Sequence, residues 1–321
     1  MTGGQEIEGA KMQILDQEGK VVEEWVSKKE AHVVYALAPG EYILHEEQAP
    51  TEQGYVRAED VKFVVEETGD VQKVKMEDDH TKVSISKTDI TDGKEIEGAK
   101  LQILDQDGEV VESWTTGEEH LIEYLPVGTY TLHEEAAVDG YIVANDVEFT
   151  VEETGEIQKV KMEDERAMGQ LVIVKTDTDS KAALEGVEFV LLEKETGKEV
   201  GRLKTGKDGK AVSELLPIGT YENGVFKEPI TYVLKETATL KGYEKTEEEW
   251  EIVFTYQNDK TPVIEVVKEI QNKKIPETPG TVKPGPKTGD DTNWFLPLLA
   301  LGVSAGMVAG LLYYRKRHKK A

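Results

Sequence analysis

The feature that most constrains this chain is an internal repeat. Glu6-Ile-Glu-Gly-Ala-Lys-Met-Gln-Ile-Leu-Asp16 returns as Glu95-Ile-Glu-Gly-Ala-Lys-Leu-Gln-Ile-Leu-Asp105, and Val64-Val-Glu-Glu-Thr-Gly69 returns as Thr150-Val-Glu-Glu-Thr-Gly155. A more divergent copy opens at Leu171-Val-Ile-Val-Lys175 and continues through Leu184 to Leu192. Tandem similarity at this period means a row of small domains, each about 85 to 105 residues long, instead of one large enzyme core. Within each copy, short alternating segments such as Tyr130 to Glu134 and Val147 to Val151 are separated by Asp-Gly, Pro-x-Gly and Thr-Gly turns. That spacing predicts an all-β fold of antiparallel sandwiches, and no long 3.6-residue periodicity competes with it. The expected units are 1–80, 81–166 and 167–275, followed by a Pro/Gly-rich linker at 276–288 and a terminal segment at 289–321.

Charge narrows the range of partners. The 321 residues hold 38 Lys+Arg against 64 Asp+Glu. Five of the cations, Arg315, Lys316, Arg317, Lys319 and Lys320, crowd into the last seven residues. The acidic body before them repels phosphate backbones and anionic lipid, which argues against a nucleic-acid reader. The absence of cysteine removes disulfides, thiolate catalysis and Cys-ligated zinc together. No Ser/His/Asp set, phosphate loop or metal-spaced His pair stands out, so neither a cofactor nor a metal is expected, and no turnover enzyme.

The end of the chain predicts where the protein resides. Trp294 to Tyr314 is an uncharged apolar run of 21 residues, long enough to cross a bilayer as a helix. The basic tail after it would stay cytoplasmic, which puts the acidic body outside. Just upstream lies Gly285-Pro286-Lys287-Thr288-Gly289-Asp290. This order of motif, span and basic tail resembles the Gram-positive cell-wall sorting signal, Leu-Pro-x-Thr-Gly, with Gly285 in place of the leucine. The resemblance implies sortase cleavage between Thr288 and Gly289 and transfer of the Thr288 carbonyl to a peptidoglycan or pilin amine. The alternative is an uncut membrane anchor. Residues 1–10 carry no secretory signal, so an earlier start is expected.

The chemistry is suggested by polar residues at core-facing positions. Period-two alternation puts Lys87 on the face of Val83 and Ile85, and Lys175 on the face of Leu171 and Ile173. It likewise places Glu46, Glu134 and Glu236 behind a Tyr-x-Leu pair. Asp78 follows Val74 and Met76, Asp164 follows Val160 and Met162, and Asn272 follows Val266 and Ile270, with Lys268 interrupting that last face. Buried lysines and carboxyls cost several kcal/mol unless they neutralise or pair. A neutral amine is a nucleophile, a neutral carboxyl or carboxamide carbon an electrophile, and a nearby Glu can carry protons between them. The outcome is either a single-turnover amide or a hydrogen-bonded cluster with no covalent link.

Tyr42-x-Leu-x-Glu46 with Gly54-Tyr55, Tyr130-x-Leu-x-Glu134 with Gly140-Tyr141, and Tyr232-x-Leu-x-Glu236 with Gly242-Tyr243 resemble the E-box of collagen-adhesin B-type domains, the prealbumin-like units of SpaA-type pilins. The resemblance covers nearly all of residues 1–275. It implies a Lys87–Asp164 isopeptide bond assisted by Glu134 with loss of water, and a Lys175–Asn272 bond assisted by Glu236 with loss of ammonia. Asn258 is the rival acceptor in the third unit, although Asn258-Asp259 also suits a turn. In the first unit Glu46 and Asp78 have no matching lysine, because the position equivalent to Lys87 falls before Met1. That unit is expected to be the least stable and open to a complementary strand.

Other residues have plainer expectations. His45 and His133 should be solvated strand residues, and Glu77 to His80 an inter-domain joint in preference to a cation site. Trp25 and Trp114 should pack in preference to binding sugar. Glu222 to Thr231, an insertion peculiar to the third unit, should be a longer hairpin in preference to a binding loop. The favoured function is a wall-anchored stalk or pilin-like surface protein, with no shaft-type Tyr-Pro-Lys motif in evidence. The rivals are an adhesin whose repeats grip a host or cell-surface ligand, and a tether for a separate head.

Overall fold

The computed structural model describes residues 5–276. The sorting motif Pro286, Lys287, Thr288 and Gly289, the apolar span and the basic tail lie outside the described residues. Among the described residues no helix is long and apolar enough to cross a membrane.

The second unit shows how the alternating sequence becomes a sandwich. One sheet runs in the order Val110–Thr115, Lys100–Leu104, Gly128–Ala136, Val147–Val151, all antiparallel. The turn between the first two strands in sequence is set locally. Asp105 Oδ1 accepts from the backbone N–H of Asp107 and of Glu109, and Gly108 takes the left-handed φ of +81° that the turn requires. The facing sheet runs His120–Glu123, Lys82–Asp89, Ile157–Arg166, Tyr141–Ile142. Every second side chain of each strand turns inward, and Val83, Ile85, Leu101, Ile103, Leu132, Val151 and Met162 close the core between the sheets.

One pairing departs from the expected antiparallel pattern. The first strand, Lys82–Asp89, and the last, Ile157–Arg166, lie side by side in parallel. The third unit repeats this with Met168–Asp177 beside Val263–Asn272. A parallel pair needs a long crossover, and the rest of the unit supplies it. Local alternation cannot reveal it, because the two strands are separated by nearly the whole unit.

The third unit has its own opposing sheet, in the order Glu199–Lys204, Glu188–Glu193, Thr231–Ala238, Glu249–Val253. Lys268, which breaks the apolar pattern of the last strand, lies half-buried with its ammonium 5.8 Å from the centre of the Trp250 ring. Its charged head thus meets an aromatic face.

The first unit keeps only one complete sheet, in the order Val21–Val26, Lys11–Leu15, Gly40–Gln48, Val61–Val65. The expected strand through Val74, Met76 and Asp78 is not there: residues 66–78 form no strand, and pairing resumes only at Asp79–His80. Residues 32–35, which match the strand His120–Glu123, are also unpaired. Both segments correspond to neighbours of a first strand, and no such strand lies beside them among the described residues. The fully buried core consequently shrinks to Ala10, Met12, Ile14 and Leu44.

Candidate functional site

Each complete unit buries a lysine, a glutamate and an acceptor between its sheets. Lys87, Glu134 and Asp164 are all at most 2% exposed, as are Lys175 and Asn272, with Glu236 at 4%. The shared strand register brings them together. Met162 stands opposite Lys87 and Ile270 opposite Lys175, so in both units the acceptor lies two residues beyond the lysine's partner, on the same face. Glu134 and Glu236 come from the opposing sheet, each on the same strand as its E-box tyrosine and the same face of it.

In the second unit Lys87 Nζ donates to Asp164 Oδ1 and sits 2.9 Å from Glu134 Oε2. The same Glu134 oxygen accepts from the Ala144 backbone N–H at 2.6 Å, which fixes the carboxylate. Glu134 Oε1 and Asp164 Oδ2 have no other partner. A proton on Asp164 bonded to Glu134 satisfies both atoms. Burial, reinforced by the Glu134 charge and only partly offset by Lys87, pushes the Asp164 carboxyl up to about 7. The shift favours the uncharged, electrophilic form of the acid that faces the Lys87 nitrogen.

In the third unit Lys175 Nζ donates to Asn272 Oδ1 and lies 3.5 Å from Glu236 Oε2. Asn272 Nδ2 donates to Glu236 Oε1 at 2.7 Å and to Thr239 Oγ1 at 2.7 Å. That arrangement turns the carboxamide oxygen toward the lysine and the nitrogen toward the acid. Burial lowers the Lys175 pKa, against the pull of Glu236, and favours the free amine. Asn258 is exposed instead, its Oδ1 accepting from Lys260 N–H and Thr261 Oγ1 in a turn. Geometry therefore places Asn272, not Asn258, against the lysine.

The first unit repeats the acid half of this arrangement. Glu46 is fully buried, and its Oε2 accepts from the Ala58 N–H at 2.7 Å, as Glu134 does from Ala144. Burial and the neighbouring Asp78 push Glu46 up to about 7, and burial raises Asp78. Among the described residues no lysine ammonium is paired with Glu46 or Asp78.

Several partners escaped the sequence reading. Thr239 is one. Another is the Asp that follows each lysine by two: Tyr141 donates to Asp89 Oδ2 at 2.7 Å, and Arg166 Nε donates to the same oxygen at 2.6 Å. Asp177 similarly meets Tyr243. The repeated Lys-Thr-Asp, read beside the repeated Gly-Tyr, was the available signal. The insertion of the third unit forms a hairpin, Gly219–Glu222 with Val225–Pro229, that packs on the second unit. Tyr221 donates to Gly140 O, its ring lies under the Arg166 guanidinium at 4.1 Å, and a Cβ on Gly140 would meet Phe226 at 2.8 Å.

The remaining candidates are placed as follows. His45 and His133 pair with Asp60 and Asp146 at 2.6 and 2.7 Å on the outer face. Trp25 and Trp114 stack on His32 and His120. Asp79 receives Lys82 Nζ at 2.7 Å, and His80 stacks on Tyr124 and meets Glu123 at 3.0 Å. These last contacts join the first unit to the second.

The family described as SpaA, prealbumin-like fold domain, matches residues 1–80, 81–166 and 169–229. Among solved structures, the Bacillus anthracis TIE protein is 28% identical with a TM-score of 0.53, over 85% of this chain and 49% of that one. The chain thus spans about half the length of that protein. A streptococcal ancillary pilin is 16% identical with a TM-score of 0.33, covering 86% of this chain and 94% of its own. The major pilin subunit of Bacillus cereus is 16% identical with a TM-score of 0.42, covering 85% and 97%. Comparison with curated protein sequences gave no match.

Proposed function

The chain belongs to the family of SpaA prealbumin-like fold domains, and we propose that it is a pilin-like structural surface protein whose units weld themselves shut through isopeptide bonds. The observation that carries this reading is the buried contact of Lys87 with Asp164 and of Lys175 with Asn272, each beside a glutamate from the opposing sheet.

In the second unit Lys87 passes a proton to Glu134 and its Nζ attacks Cγ of the neutral Asp164. The amine sheds a second proton, the Asp164 hydroxyl departs with it as water, and Glu134 retains the first. In the third unit the neutral Lys175 attacks Cγ of Asn272. The proton lost by Nζ travels through Glu236 to Nδ2, which Glu236 already contacts, and ammonia leaves. Neither step needs a cofactor. Both consume their own residues, so the chemistry is a single maturation event and not turnover.

The C-terminal segment completes the proposal. Pro286, Lys287, Thr288 and Gly289 form the sorting motif at which a sortase cuts after Thr288 and joins it to a peptidoglycan or pilin amine. The span from Trp294 to Tyr314 holds the precursor in the membrane of a Gram-positive cell until then. Intact-mass measurement of residues 1–275 tests the bonds, with loss of one water and one ammonia expected. The full unmodified mass overturns them. Incubation of the full chain with a sortase and a nucleophilic amine tests the motif, with cleavage after Thr288 expected and cleavage elsewhere, or none, against it.

A further inference from the structure

The two reacting strands of the second unit are held from outside that unit. Two residues beyond Lys87 and Asp164 they are tied again: Arg166 Nε donates to Asp89 Oδ2 at 2.6 Å, and the Tyr141 hydroxyl donates to the same oxygen at 2.7 Å. Asp89 is wholly buried, but the Arg166 side chain is 22% exposed. Tyr221 of the third unit covers it, with the ring centre 4.1 Å from the guanidinium carbon. The same ring meets Tyr141 edge-on at 5.2 Å, and its hydroxyl donates to Gly140 O at 2.8 Å. The third unit adds a further contact through Tyr256, whose hydroxyl donates to Tyr141 O at 2.9 Å.

The lysine strand is reached by the tip of the same hairpin. Asn223 and Gly224 both take left-handed φ, 52° and 69°, and the tight turn they make sets backbone against backbone: a Cβ on Gly224 would collide with Glu95 O. Glu95 and Ile96 in turn hold Lys87. Glu95 Oε2 accepts from Lys87 N–H at 3.1 Å, and Ile96 N–H donates to Lys87 O at 2.8 Å. One hairpin therefore bears on both reacting strands. The joint between the first and second units repeats part of this arrangement. Tyr124 of the second unit meets Tyr55 edge-on at 5.5 Å, a Cβ on Gly54 would collide with the Tyr124 backbone, and His80 stacks on Tyr124 at 4.1 Å. His80 stands two residues after Asp78, as Arg166 stands two after Asp164. A tyrosine of the following unit thus sits twice on a Gly-Tyr pair and on the residue two past the acceptor position, which marks the contact as a built feature of the series.

We propose that the third unit clamps the second unit's crosslinking site, with Tyr221 as a positioning residue for the joining of Lys87 to Asp164. The inference rests on the isopeptide reading above and adds no atom to its chemistry. By covering the Arg166 guanidinium, Tyr221 shields the pair with Asp89 from water, and that pair keeps the two strand ends in register while Nζ meets Cγ. Docking of the third unit consequently precedes the second unit's bond. The third unit's own bond, between Lys175 and Asn272, is independent of the contact.

The test follows both bonds in the full chain made by cell-free synthesis, with time points quenched in acid and digested, and the two crosslinked peptides quantified by mass spectrometry. Tyr221→Ala should slow the Lys87–Asp164 bond about tenfold and leave the Lys175–Asn272 bond at its normal rate. Tyr221→Phe, which keeps the ring over Arg166, should recover most of that loss. Gly224→Asn suits the φ of the turn yet sets a Cβ against Glu95, and it should slow the same bond alone. In each slow variant the unjoined fraction should keep Lys87 closed to an acylating reagent, because the unit is folded and only the approach is impaired, and every variant should reach the wild-type mass in the end. Equal rates in all variants, slowing of both bonds together, or a slowed bond with Lys87 open to the reagent would overturn the clamp alone. No crosslinked peptide even from the wild type would overturn the isopeptide reading and the clamp with it.

Discussion

The replacement Glu134→Gln separates chemistry from packing. The amide keeps the size of the side chain and leaves Lys87 and Asp164 in contact, but it cannot take the lysine proton that Glu134 Oε2 faces at 2.9 Å. The variant should retain the water of the second unit while the third still loses ammonia. Lys87 and Asp164 are 77 residues apart, and closing a loop of that length is worth ~4.5 kcal/mol at 25 °C on the chain-entropy relation. At about 4 to 8 °C per kcal/mol for a domain of this size, the transition of the second unit should fall by roughly 18 to 36 °C. Scanning calorimetry on both proteins, with intact mass on the same samples, measures this. If the variant sheds its water at the normal rate, Glu134 is not the proton carrier. If the water stays but the midpoint moves by only a few degrees, the bond does not act through loop closure.

Other outcomes follow from the same geometry. Asp164→Asn should mature to the same final mass as the wild type, because ammonia then leaves where water did; a stable mass that retains the amide would contradict the mechanism. Glu46, held at about 7 in the folded unit against an ordinary 4.5, makes the first unit more stable when protonated. Its contribution, about 3 kcal/mol for such a shift, is full below pH 4.5 and lost as pH rises through 7. Urea titrations at pH 5 and pH 8 should show that loss, and Glu46→Gln should flatten it. Phe226→Ala should loosen the joint between the second and third units and broaden small-angle scattering distances, with the mass losses unchanged; an unaltered profile would remove the hairpin's role as a brace.

Lys87, Lys175 and the three E-box glutamates were legible in the sequence because strand alternation is strict and a charged residue on an apolar face is conspicuous. Asn272 was legible despite Lys268, whose aliphatic stem tolerates a core-facing position when Trp250 receives its head. The parallel pairing of first and last strands was not, since nothing local distinguishes a strand that pairs with its neighbour from one that pairs 77 or 97 residues away. The strand expected through Val74 and Met76 failed for the converse reason: its pattern suits a strand, but a pattern does not supply hydrogen bonds, and no neighbour that would supply them lies beside it among the described residues. Thr239 and the Arg166–Tyr221 contact became visible only when units and sheets were set against one another.

The parallel arrangement of the terminal strands has a consequence for how a complete unit carries tension. A pull entering at Lys82 travels along the strand to Lys87 and, once the amide exists, crosses to Asp164 and exits by Arg166 into the next unit. Residues 88–163 lie off that route, so their contour length is never released and the unit behaves as a short inextensible link. Without the amide the same pull would peel the two strands apart and release those residues, so the bond decides whether a complete unit lengthens under load.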